Sequence, residues 1–101
     1  MNSSLIDSYN ETENFLNNAK KMIEITSNMS IKKSIIEYEE YITHNELELA
    51  ANVLEKVELY TYEENKKYLI QIINAYFNME LYTETKTLID RLEELKNDVR
   101  A

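Results

Sequence analysis

Four residue types are missing from this chain of 101 residues: cysteine, glycine, proline and tryptophan. Without cysteine, the chain cannot form a disulfide, a thiolate metal site or a thiol nucleophile. Without glycine and proline, it lacks phosphate-cradling loops, most two-residue hairpin turns and the commonest residue at the C-terminal ends of helices. These absences disfavour strands joined by tight turns and predict an all-α fold held by its hydrophobic core.

The size and charge of the chain limit its organisation and its partners. With 44% hydrophobic and 30% charged residues, it has a globular composition, and its length predicts one domain over residues 1–101. Nineteen acidic residues against eleven basic ones give a net charge of -8, which argues against direct binding to nucleic acid or to anionic membranes. Neither a signal peptide nor a spanning run of about 18 apolar residues is recognisable, so we expect a cytoplasmic protein.

Apolar residues recur at spacings of three and four along five segments, which predicts five helices. Ser30 is expected to cap the second helix, and Thr61 with Glu64 forms a capping box that opens the fourth. After the second helix, Asn45 tolerates the left-handed conformation that glycine usually supplies. The predicted helices cover residues 4–27, 30–43, 46–60 and 62–79, followed by a fifth that is capped by Thr83 and carries Leu88, Ile89, Leu92 and Leu95.

Three apolar residues lie off the main stripes of their helices. Ile70 and Phe77 fall on the opposite side of the fourth helix from Tyr68 and Ile72, and a helix that is apolar on two sides is expected at the centre of the fold. Together with Ile36, they either seed a dimer or pack inside the fold. We expect a monomer.

Residues 40–57 align with residues 75–92 at an offset of 35, in pattern more than in identity. The offset is close to the period of about 34 residues of tetratricopeptide units. We therefore predict two stacked α-hairpins capped by a long N-terminal helix, with a plain up-down bundle as the alternative. The aligned pairs are Tyr41 with Tyr76, Ile42 with Phe77, Leu47 with Tyr82, Val53 with Leu88, Leu54 with Ile89 and Val57 with Leu92.

The net charge is concentrated in one part of the chain. Nine acidic residues and one basic residue lie between Glu37 and Glu64, so this window carries all of the net charge of -8. Such a one-sided field steers basic partners, and tyrosine is a residue that interfaces favour; the alternative is that these are ordinary solvated helix faces. The predicted partner surface consists of Glu37, Glu40, Tyr41, Glu46, Glu48, Glu55, Tyr60, Tyr62, Glu63 and Glu64, whereas Tyr38 is predicted to be a core residue.

The sequence offers little for catalysis. His44 is the single histidine, and although Glu40 lies four residues before it, a di-metal helical site needs paired Glu-x-x-His helices. Carboxylates on one helix surface are expected to be solvated and ordinary in behaviour. We predict no catalytic residue, no metal site and no cofactor.

The segment from Ile36 to Val57 contains a helix ending in Glu-Tyr-hydrophobic, followed by a short turn, then Glu, a hydrophobic residue, Ala and a Leu-bearing second helix. The residues of this pattern are Glu40, Tyr41, Ile42, Asn45, Glu46, Leu49, Ala50 and Leu54. The segment resembles small all-helical bacterial immunity proteins, including those of contact-dependent inhibition and related polymorphic toxin systems. Asn45 stands where that family more often has glycine.

The resemblance implies a protein that binds and blocks a cognate toxin domain, often a cationic nuclease, in a 1:1 complex. Two other interpretations remain open. One is a tetratricopeptide-like adaptor that holds a peptide or helix between its hairpins. The other is a phosphate mimic that blocks a DNA-binding enzyme through the same acidic face.

Overall fold

The chain forms five α-helices in the computed structural model, which describes residues 2–25, 28–59 and 61–100, with side chains for 7–25, 28–59, 61 and 63–96. The helices are α1 (Asn2–Ile23), α2 (Met29–Thr43), α3 (Leu47–Glu55), α4 (Tyr62–Asn78) and α5 (Tyr82–Arg100). No strand occurs among these described residues. The predicted all-α fold with five helices is confirmed.

Consecutive helices pair into two hairpins, α2 with α3 and α4 with α5. α1 lies along α4 and also contacts α3, so it covers both hairpins as the predicted cap. The molecule measures 49 × 29 × 16 Å, and the shortest dimension fits two helix layers, because packed helix axes lie about 8–10 Å apart. α4 contacts α1, α3 and α5 and is therefore the central helix, as the sequence predicted.

The two hairpins turn in the same way, 35 residues apart. Asn45 and Glu80 have positive φ angles of 59° and 62°, and in each turn the following amide donates back to a carbonyl near the end of the preceding helix. This is the Schellman arrangement, so the repeat seen in the sequence is also a repeat of backbone geometry. The bonds run from the Glu46 amide to the Tyr41 oxygen (2.9 Å) and from the Leu81 amide to the Tyr76 oxygen (3.0 Å).

Glu80 occupies a backbone conformation that disfavours residues with a Cβ atom. The left-handed region costs such residues about 1–2 kcal/mol, whereas glycine adds about 0.4–1 kcal/mol of unfolded-state freedom. We therefore expect Glu80→Gly to raise the free energy of unfolding by about 0.5–1 kcal/mol in urea titrations. Asn45→Gly is the matched control and should gain less, because asparagine already tolerates this conformation; a larger gain at Asn45 would contradict the explanation.

The link between α1 and α2 differs from the prediction. α1 ends at Ile23, and the predicted extension to residue 27 includes residues 26–27, which lie outside the described part of the chain. α2 is capped by Asn28 and not by Ser30: the Asn28 side chain accepts a hydrogen bond from the Ile31 amide (3.1 Å). Asn28 also has the extended backbone that an N-cap requires (φ -70°, ψ 121°), so the cap lies two residues earlier than predicted.

The start of α4 was predicted correctly and the start of α5 was not. Thr61 Oγ1 accepts from the Glu64 amide (3.1 Å), and Glu64 Oε1 accepts from the Thr61 amide (3.3 Å), which confirms the capping box. α5 begins at Tyr82, so Thr83 lies inside its first turn and does not cap it. The left-handed residue Glu80 lies just before α5, so the helix begins earlier than a cap at Thr83 implied.

α3 ends at Glu55, five residues before the predicted end at residue 60. Its last carbonyl groups find partners on the second hairpin. The Leu54 oxygen accepts from the Tyr68 hydroxyl (2.5 Å), and the Glu55 oxygen accepts from Arg91 Nη2 (2.7 Å). Because unpaired carbonyl groups at a helix end need partners, these bonds allow α3 to stop early.

Three buried tyrosines connect the helices across the core. Tyr38, Tyr68 and Tyr76 are 0%, 0% and 2% exposed, which confirms the predicted core position of Tyr38. Their hydroxyl groups donate to Asn17 Oδ1 (2.6 Å), the Leu54 oxygen (2.5 Å) and Asn52 Oδ1 (2.6 Å) respectively. Their burial therefore leaves no hydroxyl unpaired. The surrounding core includes Leu16, Ala19 and Ile23 of α1, Ala50 and Leu54 of α3, and Leu69, Ile72 and Ala75 of α4.

Candidate partner-binding surface

Four acidic side chains of the predicted surface lie on the first hairpin, between the last two turns of α2 and the first turn of α3. Glu37 and Glu40 are in the last two turns of α2, Glu46 precedes α3 and Glu48 is in its first turn. All four are exposed, and among the described residues none of them is ion-paired within the chain. Their charge is therefore available to a partner, and we call these four residues the hairpin acidic cluster.

A further acidic residue of α2, Glu39, is neutralised within the fold. Lys20 Nζ lies 2.9 Å from Glu39 Oε1 and 3.5 Å from Glu24 Oε2. The hydrogen bond to Glu39 is the main reason why the pKa of Lys20 is raised. This ion pair joins α1 to α2 and neutralises Glu39. Among the described residues, no such pair neutralises the hairpin acidic cluster.

Two of the other predicted residues, Glu63 and Glu64, lie beyond the opposite end of α3. α3 has nine residues, so its ends are about 12–14 Å apart. Glu63 is exposed in the first turn of α4, and the Glu64 carboxylate is held in the capping box. Tyr60 lies outside the described residues, as does the side chain of Tyr62. The structure therefore brings Glu63 and Glu64 together, but not beside the hairpin acidic cluster.

The last two predicted residues face inwards. Tyr41 is half-buried and packs against the core. Glu55 is also half-buried, and its carboxylate accepts a hydrogen bond from Arg91 Nη1 (3.0 Å), while Nη2 of the same arginine binds its backbone oxygen. Glu55 therefore joins α3 to α5 within the fold, a role that its position on the acidic stripe of the sequence does not indicate.

A groove of about 260 Å³ opens between the two hairpins. Tyr76 lines it, and the pKa of Tyr76 is raised first by burial and then by the negative charges of Glu55, Glu84 and Glu48, while Arg91 lowers it. Glu55 and Glu84 also line the groove, but Glu55 is already paired with Arg91. The carboxylate of Glu84 therefore favours lysine or arginine here. The lining residues are Asn52, Glu55, Tyr76, Thr83, Glu84, Thr87 and Leu88.

Glu84 was missed by the sequence analysis because it lies outside the acidic window. Residues 83–87 of α5 align with residues 48–52 of α3 at the offset of 35, and both segments contribute side chains to the groove. At that offset Glu84 aligns with Leu49, so the repeat indicates the segment but not the acidic residue.

His44 is exposed in the first hairpin turn, with Nδ1 2.8 Å from the Glu40 oxygen. No three histidine, cysteine, aspartate or glutamate side chains among the described residues are grouped to hold a metal ion. The described helices also include none that is long and apolar enough to cross a membrane.

Comparison with protein-family models, with curated proteins and with solved structures finds no match for this chain. What the chain binds is therefore inferred from its own surface.

Proposed function

We propose that the chain is an immunity-type protein that binds a cognate bacterial toxin domain in the cytoplasm and blocks it without catalysis. The observation that carries this proposal is the hairpin acidic cluster, whose four carboxylates are exposed and free of ion pairs within the described residues. A toxin that cleaves RNA or DNA needs a basic cleft to hold phosphates. An acidic surface of matching shape can occupy that cleft, so the expected target is a cationic nuclease domain.

The hairpin that carries the cluster is held at several points. The Tyr9 hydroxyl donates to Asn45 Oδ1 (2.5 Å) at the turn, and the Tyr38 hydroxyl donates to Asn17 Oδ1 (2.6 Å) further along α2. A surface that is ordered before binding loses less conformational freedom in the complex. This ordering supports a protein that acts by occupying its target.

The groove between the hairpins supports the same function. Glu48 of the hairpin acidic cluster lies about one helical turn before Asn52, which lines the groove, and Glu84 lines it directly. One arginine or lysine of the target is expected to enter the groove while its neighbours pair with the cluster. The half-buried Tyr41 is expected to supply packing beside these charges.

Reversing two charges of the cluster tests the proposal. We expect the variant with Glu46→Lys and Glu48→Lys to associate with the target about 10- to 100-fold more slowly at low salt, because attraction becomes repulsion. The difference should shrink as salt rises, since the screening length falls from about 30 Å at 0.01 M to about 8 Å at 0.15 M. The measurement is stopped-flow association with a catalytically inactive form of the toxin domain encoded beside the gene for this chain.

The matched control reverses Glu93 and Glu94 to lysine on α5. Both residues are exposed and lie outside the hairpin acidic cluster, and the change in net charge is the same. We expect this control to slow association by about threefold or less. Equal slowing in both variants would assign the effect to overall charge, and unchanged association in the cluster variant would make the proposal wrong.

A tetratricopeptide-like adaptor is the second candidate, favoured by the groove itself. An adaptor would hold a peptide or helix there, and its affinity would depend little on salt. Thr87 lines the groove, so Thr87→Trp should block an adaptor's ligand. Loss of binding in Thr87→Trp with full binding in the cluster variant would favour the adaptor over the immunity function.

A further inference from the structure

The groove between the two hairpins combines apolar surface with hydrogen-bond acceptors. Tyr76 and Leu88, which line it, are each 2% exposed. The rest of its lining consists of two glutamates, two threonines and one asparagine, and among the described residues that line it none is lysine or arginine. Carboxylates only accept hydrogen bonds, and hydroxyl and amide oxygens accept them as well. The groove therefore offers acceptors to a ligand that brings donors.

Two carboxylates line the groove, and only one of them has a partner within the fold. Glu55 Oε2 lies 3.0 Å from Arg91 Nη1, so these two charges neutralise each other. Glu84 is half-buried, and among the described residues it has neither an ion pair nor a side-chain hydrogen bond. Because a carboxylate that is partly removed from water gains more from a cation than a fully exposed one, Glu84 makes the groove a place for a positive charge.

The repeated packing of the hairpins does not require a carboxylate at this position. At the offset of 35, Glu84 aligns with Leu49 of the first hairpin. Glu84 also lies in the first turn of α5, where an acidic side chain stabilises a helix. That local role places an acid at the start of the helix but predicts no cation in the groove, so the two roles can be separated by experiment.

The walls of the groove are held in place before any ligand binds. The Tyr76 hydroxyl of α4 donates to Asn52 Oδ1 of α3 (2.6 Å). Arg91 of α5 donates from Nη1 to the Glu55 carboxylate (3.0 Å) and from Nη2 to the Glu55 backbone oxygen (2.7 Å). These bonds join the second hairpin to α3 on both sides of the groove lining. A preformed groove needs little ordering when a side chain enters it.

The lining favours arginine over lysine. A guanidinium group has five donors in a planar fork and is weakly hydrated, whereas an ammonium group is compact and strongly hydrated. The fork can reach several acceptors at once, such as the Glu84 carboxylate, the Asn52 amide oxygen and the Thr87 hydroxyl, while the methylene stem packs on apolar surface. Within the fold, Arg91 already uses its fork in this way on Glu55.

We propose that the groove is a pocket for one arginine side chain of the target, with its guanidinium paired to Glu84 and its stem packed on Tyr76 and Leu88. That this arginine belongs to a toxin domain rests on the proposed function. Glu48 of the hairpin acidic cluster lies about one helical turn before Asn52 in the groove lining. The pocket is therefore continuous with the surface that is proposed to bind the target.

A small probe tests the pocket without the target. N-acetyl-arginine amide is titrated at low salt into the full chain labelled with nitrogen-15, and amide shifts are followed by NMR. We expect saturable shifts at residues 83–88 and at the Asn52 side-chain amide, with a dissociation constant of about 1–10 mM. N-acetyl-lysine amide should bind about threefold more weakly or worse, because its ammonium group is more strongly hydrated.

Glu84→Gln should weaken binding of the arginine probe by about tenfold or more, because it removes the charge that pairs with the guanidinium. Glu93→Gln is the matched control, since it removes the same charge from an exposed position on the same helix, and it should bind like the unchanged chain. Unchanged probe binding in Glu84→Gln, no saturable shift in the groove, or equal binding of the lysine probe would overturn the proposal. A lower melting temperature of Glu84→Gln without any difference in probe binding would assign Glu84 to the helix end alone.

The inactive toxin domain then tests the source of the arginine. We expect Glu84→Gln to raise the dissociation rate of the complex about tenfold and to change association by less than about threefold, because loss of a partly buried pair acts mainly on dissociation. Probe binding together with an unchanged dissociation rate would overturn the assignment of the arginine to the toxin. If the probe does not bind but the double reversal of Glu46 and Glu48 still slows association, the pocket is wrong and the proposed function stands.

Discussion

Replacing Tyr68 by alanine is expected to lower the free energy of unfolding by about 3–5 kcal/mol, as for other buried aromatic residues. Tyr68 is 0% exposed on the central helix. Its hydroxyl donates a hydrogen bond to the Leu54 oxygen at the end of α3 (2.5 Å). Alanine would leave a cavity where α3 meets α4 and remove this hydrogen bond. Since domains are stable by only about 5–15 kcal/mol, the variant should be close to unfolding. Urea titration followed by circular dichroism measures the loss.

Tyr68→Phe separates the ring from the hydroxyl. It keeps the packing and removes one hydrogen bond, and the Leu54 oxygen still accepts from the Val57 amide (3.1 Å). We therefore expect a cost of about 0.5–1.5 kcal/mol. If alanine costs no more than phenylalanine, the packing of the ring is not what holds α3 against α4.

Raising the pH above 10 is expected to destabilise the protein by about 4 kcal/mol per pH unit, because three tyrosines titrate and each contributes about 1.4 kcal/mol. Burial is the main cause that raises the pKa of Tyr38, Tyr68 and Tyr76 above the ordinary value of 10.0. The folded state therefore keeps the neutral phenols, while the unfolded chain releases their protons near pH 10. The stabilisation is complete below pH 10 and is lost as the pH rises towards the higher pKa values of the folded state.

Helix content and tyrosinate absorbance, followed together from neutral to alkaline pH, measure this effect. The buried phenols should ionise only as the helices are lost. Tyr38→Phe or Tyr76→Phe should reduce the slope of stability against pH by about one third, because one of three titrating groups is removed. Ionisation of all tyrosines well before the loss of helix, or a slope that neither variant changes, would show that burial does not control their titration.

Features that depend on local chemistry could be predicted from the sequence. Thr61 and Glu64 are three residues apart and form the capping box in the structure, because both partners are supplied within one helical turn. Asn45 was expected in a left-handed turn and is found there, at φ 59°. The offset of 35 residues also predicted the stacking of two hairpins, since a shared apolar pattern implies a shared packing arrangement.

Features that depend on distant contacts could not be predicted in this way. α3 stops at Glu55 because Tyr68 and Arg91 supply partners for its last carbonyl groups, and nothing within residues 46–60 indicates these contacts. Arg91 also donates from Nη1 to the Glu55 carboxylate and so holds it within the fold. The number of acidic residues in the sequence window is therefore larger than the number of unpaired carboxylates on the surface.

The apolar residues of α4 show a related limit. The helix is central, as its two apolar sides predicted, yet Ile70 and Phe77 lie on its exposed side. Periodicity shows that a face is apolar, but it does not show whether anything within the chain covers that face. Glu84 was missed because it lies outside the acidic window, and the groove that it lines is formed by residues of both hairpins.

Side chains of α4 and α5 bind the last carbonyl groups of α3, and this affects how the protein is expected to unfold. A helix of nine residues is too short to persist alone in water, and the bonds from Tyr68 and Arg91 to its last carbonyl groups would be lost with the second hairpin, so we expect α3 to unfold together with that hairpin. The two hairpins are then one cooperative unit, unlike the separable units of long repeat arrays. Amide protons of α3 should accordingly exchange with solvent only through global opening, with the same free energy of opening as those at the centre of α4.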